Sequence, residues 1–470
     1  MISTRLAWAS ALLFAIALFY APLAYGCTRP ETLPPLWILL GLAIVLGGFS
    51  FLQNNRTAPL PRVMLAAVGL ILAQGWWCTL DPVFHTVQIA STDVVDTSFD
   101  HLKDLSLQSM TATTFLLGGF VIASALLAQP QLRRFLLLSV AASGILICII
   151  GIFFKIGGDR VMAYFWDRPD IDWNDFAFYR YHGNAGAFLN LVWPIILVFT
   201  RRAYSPTVGF FKRTFWTAAA LTCGAALMLN ASKASLIIGL LILPWPFSTL
   251  LLNMRKRKLA PVIIIAICFL AAGIYATSHF TNEDAFDRMI DGGQVQASAG
   301  GRMLAYRQYL DAMPQLGFFG VGPGLFQVAF PYQLSPLGNV QPGLREYAHE
   351  DFLQTMIEWG WLGSVWWFLL FMGGLFVAFR SYSHRALFSS RTDRHLLLGA
   401  LLGVIGTLVQ SLVDFPLQIA SLRLFFLTLL ALCWASPQLL APPEKKVVTP
   451  TEKKPVIKPS AGHHLVTPAN

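Results

Sequence analysis

His349 is the residue of this sequence best suited to proton transfer. It stands in the stretch Tyr347-Ala348-His349-Glu350-Asp351, directly before an apolar run, so two carboxylates follow the imidazole. A neighbouring carboxylate can fix the tautomer of an imidazole and raise its basicity. The pattern indicates a general base with Glu350 or Asp351 as its partner. A histidine at the border of an apolar run can also be a simple hydrogen-bonding residue, so both interpretations remain open.

Two cations stand in patterns typical of anion binding. Arg302 shares one face with Tyr306 and Tyr309 if residues 302–313 are helical, because spacings of three and four stack on a helix. Lys233 lies in a short polar turn between two apolar runs. Arginine binds phosphate through two parallel hydrogen bonds, and lysine acts as a point charge. We therefore predict Arg302 and Lys233 as anion-binding groups, with Tyr306, Glu350 and Asp351 as substrate-binding residues. Lys233 alone also fits an anchor at a helix end.

A glycine-rich run at 320–324 has two interpretations. Its backbone can approach a ligand closely, which would make Gly322 and Gly324 binding residues. The run lacks the preceding strand and following helix that a nucleotide-binding loop requires. A tight turn that packs against the protein is the alternative.

Two further polar groups lie at the borders of apolar runs. Arg180, His182 and Asn184 precede one run as candidate binding residues, and His182 is the rival base. Asp414 and Arg423 flank a later turn between two apolar runs. For this second pair a structural ion pair is the favoured interpretation.

The elements that must position these residues are membrane helices. Of 470 residues, 56% are apolar and 12% are charged, and the apolar residues form runs of about 20, the length that crosses a bilayer as a helix. This composition excludes a secreted enzyme, a disordered scaffold and a nucleic-acid-binding module, despite the net charge of +10. The predicted fold is all-α, a polytopic integral membrane protein of about twelve transmembrane helices. The predicted spans are 6–25, 33–53, 61–80, 111–129, 135–154, 184–200, 214–230, 234–252, 259–278, 353–379, 396–415 and 417–440.

The charge of the connecting loops predicts the orientation. Lysine and arginine are concentrated in alternate loops, and positively charged loops stay cytoplasmic. Both termini are therefore predicted to be cytoplasmic. The long loops 81–110, 155–183 and 279–352 fall on the opposite face and carry the candidate residues. We predict one transmembrane domain over 1–440 and a disordered cytoplasmic tail over 441–470.

The ordered series of motifs resembles the O-antigen ligase and polymerase superfamily of bacterial envelope membrane proteins. The resemblance covers about residues 179–430 and is carried by the order of the motifs. They are Tyr181-His182-Gly183-Asn184, Ala231-Ser232-Lys233, Gly301-Arg302, Gly320-Val321-Gly322-Pro323-Gly324, His349, Glu358-Trp359-Gly360 and Asp414-Phe415-Pro416.

This resemblance implies a glycosyltransferase of the bacterial inner membrane with its active site facing the periplasm. Members transfer a glycan from an undecaprenyl-pyrophosphate carrier to an acceptor hydroxyl, which implies neither a metal nor a nucleotide cofactor. Arg302 and Lys233 match the two arginines of the family, and His349 matches its histidine. Two departures stand out, because lysine replaces arginine at 233 and Glu350 follows the histidine where the family usually has asparagine or a small polar residue.

The resemblance leaves the acceptor and the reaction class open. Lipid A core, a growing polysaccharide and a protein serine are all compatible acceptors, and ligases and polymerases share the motifs. The expected partners are the lipid-linked donor, one of these acceptors and membrane lipids, without nucleic acid. A transporter for an anionic solute is the alternative from another class, with Lys233 and Arg302 as its binding charges. A non-catalytic partner in envelope synthesis is the third interpretation.

Overall fold

The computed structural model describes most of the chain. The described residues are 2–53, 60–80, 99–166, 175–230, 232–242, 303, 306–307, 309–311, 318–328, 346–384 and 387–440. Arg302, the predicted span 259–278 and the tail 441–470 lie outside them. The described residues form helices and turns without a β-sheet, so the all-α prediction is confirmed for this part of the chain.

The structure gives the bounds of eleven α-helices. They are α1 (Ile2–Leu23), α2 (Leu33–Gln53), α3 (Arg62–Leu80), α4 (Phe99–Leu127), α5 (Pro130–Trp166), α6 (His182–Ala203), α7 (Phe210–Leu229), α8 (Lys233–Ile242), α9 (Asp351–Ser383), α10 (Arg391–Gln410) and α11 (Ala420–Trp434). Eight of them are long and apolar enough to cross a membrane, and α8 and α11 are shorter apolar helices. The count of twelve spans stays a prediction.

Two predicted loops are shorter than expected. Helix α4 begins at Phe99, inside the predicted loop 81–110, and α5 continues to Trp166, inside the predicted loop 155–183. The added part of α4 is amphipathic, with Leu102 and Met110 buried at helical spacing. Leu102 packs in a small cluster with Leu325 and Val328, so tertiary contacts stabilise a helix that hydropathy alone does not reveal.

Helix α6 lies at the centre of the bundle. Nearly all of its side chains are buried, whereas the outer helices expose apolar side chains to the surroundings. Its closest neighbour is α10, where glycines permit tight packing. A Cβ atom at Gly399 would lie 3.1 Å from Val198, and one at Gly403 would lie 3.2 Å from the Leu191 carbonyl oxygen. The middle and the last turns of α6 are thereby packed against the first half of α10.

Helix α9 is broken at Gly360, and the glycine run packs into the break. Gly360 has φ 61° and ψ −170°, a conformation that only glycine adopts readily. The backbone N–H groups of Val321 and Gly322 donate to the carbonyl oxygens of Ile357 and Glu358, both at 2.9 Å. These bonds satisfy carbonyls at the end of the first segment of α9.

The same packing favours a packed turn over a ligand-binding loop for the glycine run. Gly322 uses its N–H group within the protein, and Gly324 lies against α4, where a Cβ atom would be 2.7 Å from that of Ser109. The observed arrangement is the packed turn. Its effect on the candidate site is indirect, because it holds the first segment of α9.

We expect Gly360→Ala to destabilise the protein by more than about 3 kcal/mol. The added Cβ atom would overlap the Phe318 carbonyl oxygen, and alanine cannot adopt this backbone conformation without strain. Thermal unfolding in detergent measures the effect. Gly69→Ala on α3 is the matched control, since nothing lies within 4 Å of its Cβ position. Equal midpoints for the two variants would contradict the assignment of this break as a strained joint.

Candidate functional site

His349 lies directly before α9 with its backbone in the left-handed region. Its φ is 53°, which is uncommon for a residue with a side chain. The imidazole is 15% exposed, and its Nδ1 atom lies 3.9 Å from Oδ1 of Asp414. The carboxylate nearest to this histidine therefore comes from the turn between α10 and α11.

Aromatic rings surround the imidazole on the protein side. The Phe415 ring is stacked between Tyr347, at a centroid distance of 4.3 Å, and Tyr181, at 5.3 Å. His349 points its ring edge-on to Phe415, with centroids 4.8 Å apart and an angle of 88°. Three segments distant in sequence thus converge here, and their packed rings restrict the orientation of the imidazole.

Asp414 contacts the start of α6 as well as His349. Its Oδ1 atom accepts a hydrogen bond from the Phe415 N–H at 3.1 Å. Its Oδ2 atom lies so close to Gly183 that a Cβ atom there would overlap it. Only glycine at position 183 lets the carboxylate approach the α6 backbone in this way.

The predicted ion pair between Asp414 and Arg423 is not the arrangement observed. Arg423 donates to the Leu417 carbonyl oxygen and to Oε1 of Gln418, the latter at 3.3 Å. With Glu358 it lines a small pocket between α4, α9 and α11. The turn between α10 and α11 therefore holds Arg423 beside the pocket, whereas Asp414 of the same turn faces His349.

Glu350 and Asp351 have other partners than the imidazole. Glu350 caps α9, because its side chain accepts a hydrogen bond from the Leu353 N–H. Burial raises the pKa of the Glu350 carboxyl to about 7, against the lowering effect of backbone hydrogen bonds. Asp351 accepts from the Ser411 hydroxyl at 2.8 Å and from the Leu417 N–H at 2.9 Å. Both carboxylates fix the start of α9, and Asp414 is the one beside His349.

Tyr306 holds the backbone of His349. Its hydroxyl donates to the His349 carbonyl oxygen at 2.7 Å. The residue packs in a small cluster with Tyr309, Phe326 and Ala348. The described residues among 303–311 are helical, in agreement with the helix predicted there. Tyr306 was predicted to bind substrate, whereas its observed contact supports the unusual conformation of the histidine.

We expect Tyr306→Phe to lower the turnover number about tenfold while the KM for the donor stays unchanged. The reason is the loss of one hydrogen bond that fixes the left-handed backbone of His349, worth about 0.5–1.5 kcal/mol. Steady-state kinetics of the purified protein measure this. Tyr204→Phe is the control, since that exposed hydroxyl bonds only to Thr217 among the described residues. A variant with unchanged turnover would contradict the positioning role.

The turn that carries Lys233 lies at the same end of the bundle. Asn230, just before this turn, donates to the His182 carbonyl oxygen at 2.9 Å. Gln410 donates to the Gly183 carbonyl oxygen at 2.9 Å and to the Ser235 hydroxyl at 3.0 Å. Lys233 is half-buried at the first residue of α8. It therefore stands beside the start of α6, the helix end that Asp414 contacts.

The predicted residues near the start of α6 differ in exposure. Arg180 is exposed, His182 is half-buried with its ring 4.7 Å from that of Tyr181, and Asn184 is 4% exposed. The Oδ1 atom of Asn184 has no hydrogen-bond partner among the described residues. Arg302 lies outside the described residues, so its distance to Lys233 stays a prediction.

Sequence reasoning missed the position of Asp414 beside His349 and the ring stack around Phe415. Both belong to the motif Asp414-Phe415-Pro416, which the sequence places on the same predicted membrane face as His349. The shared membrane face was the sequence signal that could have indicated a contact between Asp414 and His349. The competing interpretation paired the aspartate with the arginine nearest along the chain.

One protein family matches the segment that carries three of the predicted site residues. A family model described as O-antigen ligase matches residues 218–368, which include Lys233, Arg302 and His349. Tyr181 and Asp414 lie outside the matched segment. No curated protein matches the chain. The resemblance predicted from the motifs is thereby confirmed over residues 218–368, which are similar to the O-antigen ligase family.

Proposed function

We propose that this protein transfers a glycan from an undecaprenyl-pyrophosphate carrier to an acceptor hydroxyl at the periplasmic face of the inner membrane. The family that residues 218–368 resemble indicates a ligase-like or polymerase-like membrane function in glycan handling. The observation that carries the finer proposal is the convergence of His349 and Asp414 at one end of the bundle. A histidine beside a carboxylate, half-buried among aromatic rings, suits the activation of a hydroxyl.

In the proposed reaction His349 is the general base. Its Nδ1 atom faces Asp414, which leaves Nε2 to take the proton of the acceptor hydroxyl. The acceptor oxygen then forms a bond to the anomeric carbon, and the bond from that carbon to the carrier pyrophosphate breaks. Asp414 orients the imidazole and stabilises the imidazolium that forms. The distance of 3.9 Å is longer than a hydrogen bond, and such contacts often shorten when substrate binds.

Two cations are proposed to bind the leaving group. The pyrophosphate gains negative charge as the bond to the sugar breaks, so fixed cations stabilise the transition state more than the ground state. Lys233 lies at the required end of the bundle, next to the α6 start that contacts Asp414. Arg302 is proposed as the bidentate partner of the same pyrophosphate.

Three classes of acceptor fit the proposal equally. They are lipid A core, a growing polysaccharide and a protein serine, and each presents a hydroxyl. His182 is the alternative base, because it is half-buried at the first residue of α6. Gly322, Gly324, Glu350, Asp351 and Tyr306 are proposed to act through His349 and the first segment of α9. Arg180 and Asn184 remain candidates for contact with the glycan.

Reconstituted vesicles provide the test. The full chain is supplied with an undecaprenyl-pyrophosphate-linked glycan and, in separate reactions, with each class of acceptor. Glycan transfer to one class, without added metal or nucleotide, is the expected result. Its loss in His349→Ala, with retention in the control His384→Ala at the exposed far end of α9, would support the site. Failure of transfer to every acceptor class would contradict the proposal.

A further inference from the structure

Helices α6 and α10 run antiparallel, and the candidate site lies at one end of this pair. Gln410 at the end of α10 donates to the Gly183 carbonyl oxygen near the start of α6. Farther along the pair, Gly403 lies against Leu191. The first turn of α10 therefore lies beside the last turn of α6, at the end opposite His349.

Basic side chains gather at this opposite end. Arg201 lies in the last turn of α6, and Arg391, Arg394 and His395 lie in the first turns of α10. The three arginines are all within electrostatic range of His395. Like charges repel each other more strongly near low-dielectric hydrocarbon than in water. An anion beside these residues would remove that repulsion.

The carboxylates of the described residues do not neutralise Arg391 and Arg394. Asp393, in the same turn of α10, accepts from the Arg133 guanidinium at 3.1 and 3.0 Å and from the Ser390 hydroxyl at 2.7 Å. Within the described ranges, neither Arg391 nor Arg394 forms an ion pair with a carboxylate. Asp393, the acidic residue next to the cluster, is thus paired with Arg133, which is not part of the cluster.

Two enclosed nitrogen atoms of the cluster have unused hydrogen-bonding capacity. Arg394 Nε and His395 Nε2 are shielded from solvent and lack a partner in the part of the chain that the structure describes. Arg394 Nε–H is a donor, and His395 Nε2 donates in one tautomer of the imidazole. A buried donor without an acceptor is costly, so a bound acceptor would be stabilising here. Surplus positive charge together with unused donors is the chemistry that binds phosphate.

The position of the cluster favours a lipid as the source of the phosphate. It lies at the ends of two membrane-length helices, on the face whose loops are basic. Tyr382 on α9 is within electrostatic range of Arg201. Phe376 and Phe379, on the preceding turns of α9, are 66% and 52% exposed. A basic cluster at the end of helices that expose apolar side chains suits a lipid, whose headgroup would bind the cluster and whose acyl chain would lie along the helices.

We propose that Arg391, Arg394 and His395, with Arg201 beside them, bind the phosphate of an anionic membrane lipid. Basic pockets between transmembrane helices on the cytoplasmic side are a known form of lipid recognition. The bound phosphate would hold the start of α10 against the end of α6. The site is separate from the proposed glycan transfer and lies at the other end of the same helix pair.

Lipid titration of the detergent-solubilised full chain, followed by native mass spectrometry, tests the proposal. We expect phosphatidylglycerol to bind and phosphatidylcholine to bind at least tenfold more weakly. The double variant Arg391→Gln/Arg394→Gln should lose at least tenfold in affinity for phosphatidylglycerol. Arg391→Gln alone changes an exposed residue, so it should fold normally and show a smaller loss. Arg62→Gln, an exposed arginine at the start of α3, is the control and should bind like the wild type.

Inorganic phosphate distinguishes the two sources of the anion. If the ligand is a lipid, millimolar inorganic phosphate should leave the bound phosphatidylglycerol in place. Displacement by inorganic phosphate would overturn the lipid assignment. Equal affinity of the wild type and both variants for phosphatidylglycerol would overturn the site itself.

Discussion

Replacing His349 with alanine is expected to lower glycan transfer about 10²–10⁴-fold while donor binding stays nearly intact. A hydroxyl is a poor nucleophile at neutral pH, and a positioned base contributes this factor in rate. Binding should persist because the cations proposed to hold the pyrophosphate remain. Turnover and donor affinity, measured separately on the purified protein in vesicles, give the two quantities.

Asp414→Asn refines this first prediction. Asparagine keeps the size of the side chain and removes the charge that faces His349 Nδ1 at 3.9 Å. We expect turnover to fall with little change in the KM for the donor. His384→Ala is the matched control for the histidine, since His384 is exposed at the far end of α9. If His349→Ala keeps near-normal transfer while His182→Ala loses it, the base is His182.

Replacing Arg302 with alanine is expected to weaken both donor binding and turnover. The guanidinium is proposed to contact the pyrophosphate before and during bond breakage, so both constants depend on it. Loss of one such group typically costs about 10²–10³-fold in rate. Arg302→Lys should recover part of the rate, because it restores the charge without the two parallel hydrogen bonds.

Substitutions of Lys233 test whether it binds the same pyrophosphate as Arg302. We expect Lys233→Arg to retain activity and Lys233→Ala to weaken donor binding, provided that the two cations face one pocket. Their side-chain ends are then within about 10 Å of each other, where their fields add with little screening. A double variant whose loss equals the product of the single losses would show that the cations act independently. Retained donor affinity in both alanine variants would contradict the proposed pyrophosphate site.

The sequence predicts the membrane helices well because hydropathy reports burial in hydrocarbon. Helix α2 spans Leu33–Gln53, as predicted, and α3 and α6 begin within two residues of the predicted positions. The prediction was wrong at the start of α4 and the end of α5. There the helices continue beyond the apolar run, and contacts such as that between Leu102 and Leu325 stabilise them.

The candidate site was predictable in its location and less so in its partners. Charge alternation indicated that His349, Lys233 and the Asp414 turn share one face. It did not indicate which carboxylate lies beside the histidine. Glu350 and Asp351 were favoured by adjacency, but a helix start engages its first acidic residues in capping and in tertiary hydrogen bonds.

For the glycine run, too, the sequence did not indicate which residue is its partner in space. Its composition fits both a ligand loop and a packed turn, since each requires an unhindered backbone. The deciding partner is Gly360, whose break in α9 accepts the turn. Nothing in the run itself points to a residue 36 positions farther along the chain, at the end of the first α9 segment.

Sealed vesicles allow glycan transfer and solute uptake to be measured on the same protein. Wild type, His349→Ala and His384→Ala are compared for transfer from the undecaprenyl-pyrophosphate-linked donor and for uptake of an anionic solute. We expect transfer by the wild type and His384→Ala, a loss of at least a hundredfold in His349→Ala, and no uptake by any of them. Solute uptake by the wild type, without glycan transfer to any acceptor, would contradict the proposed function and favour a transporter.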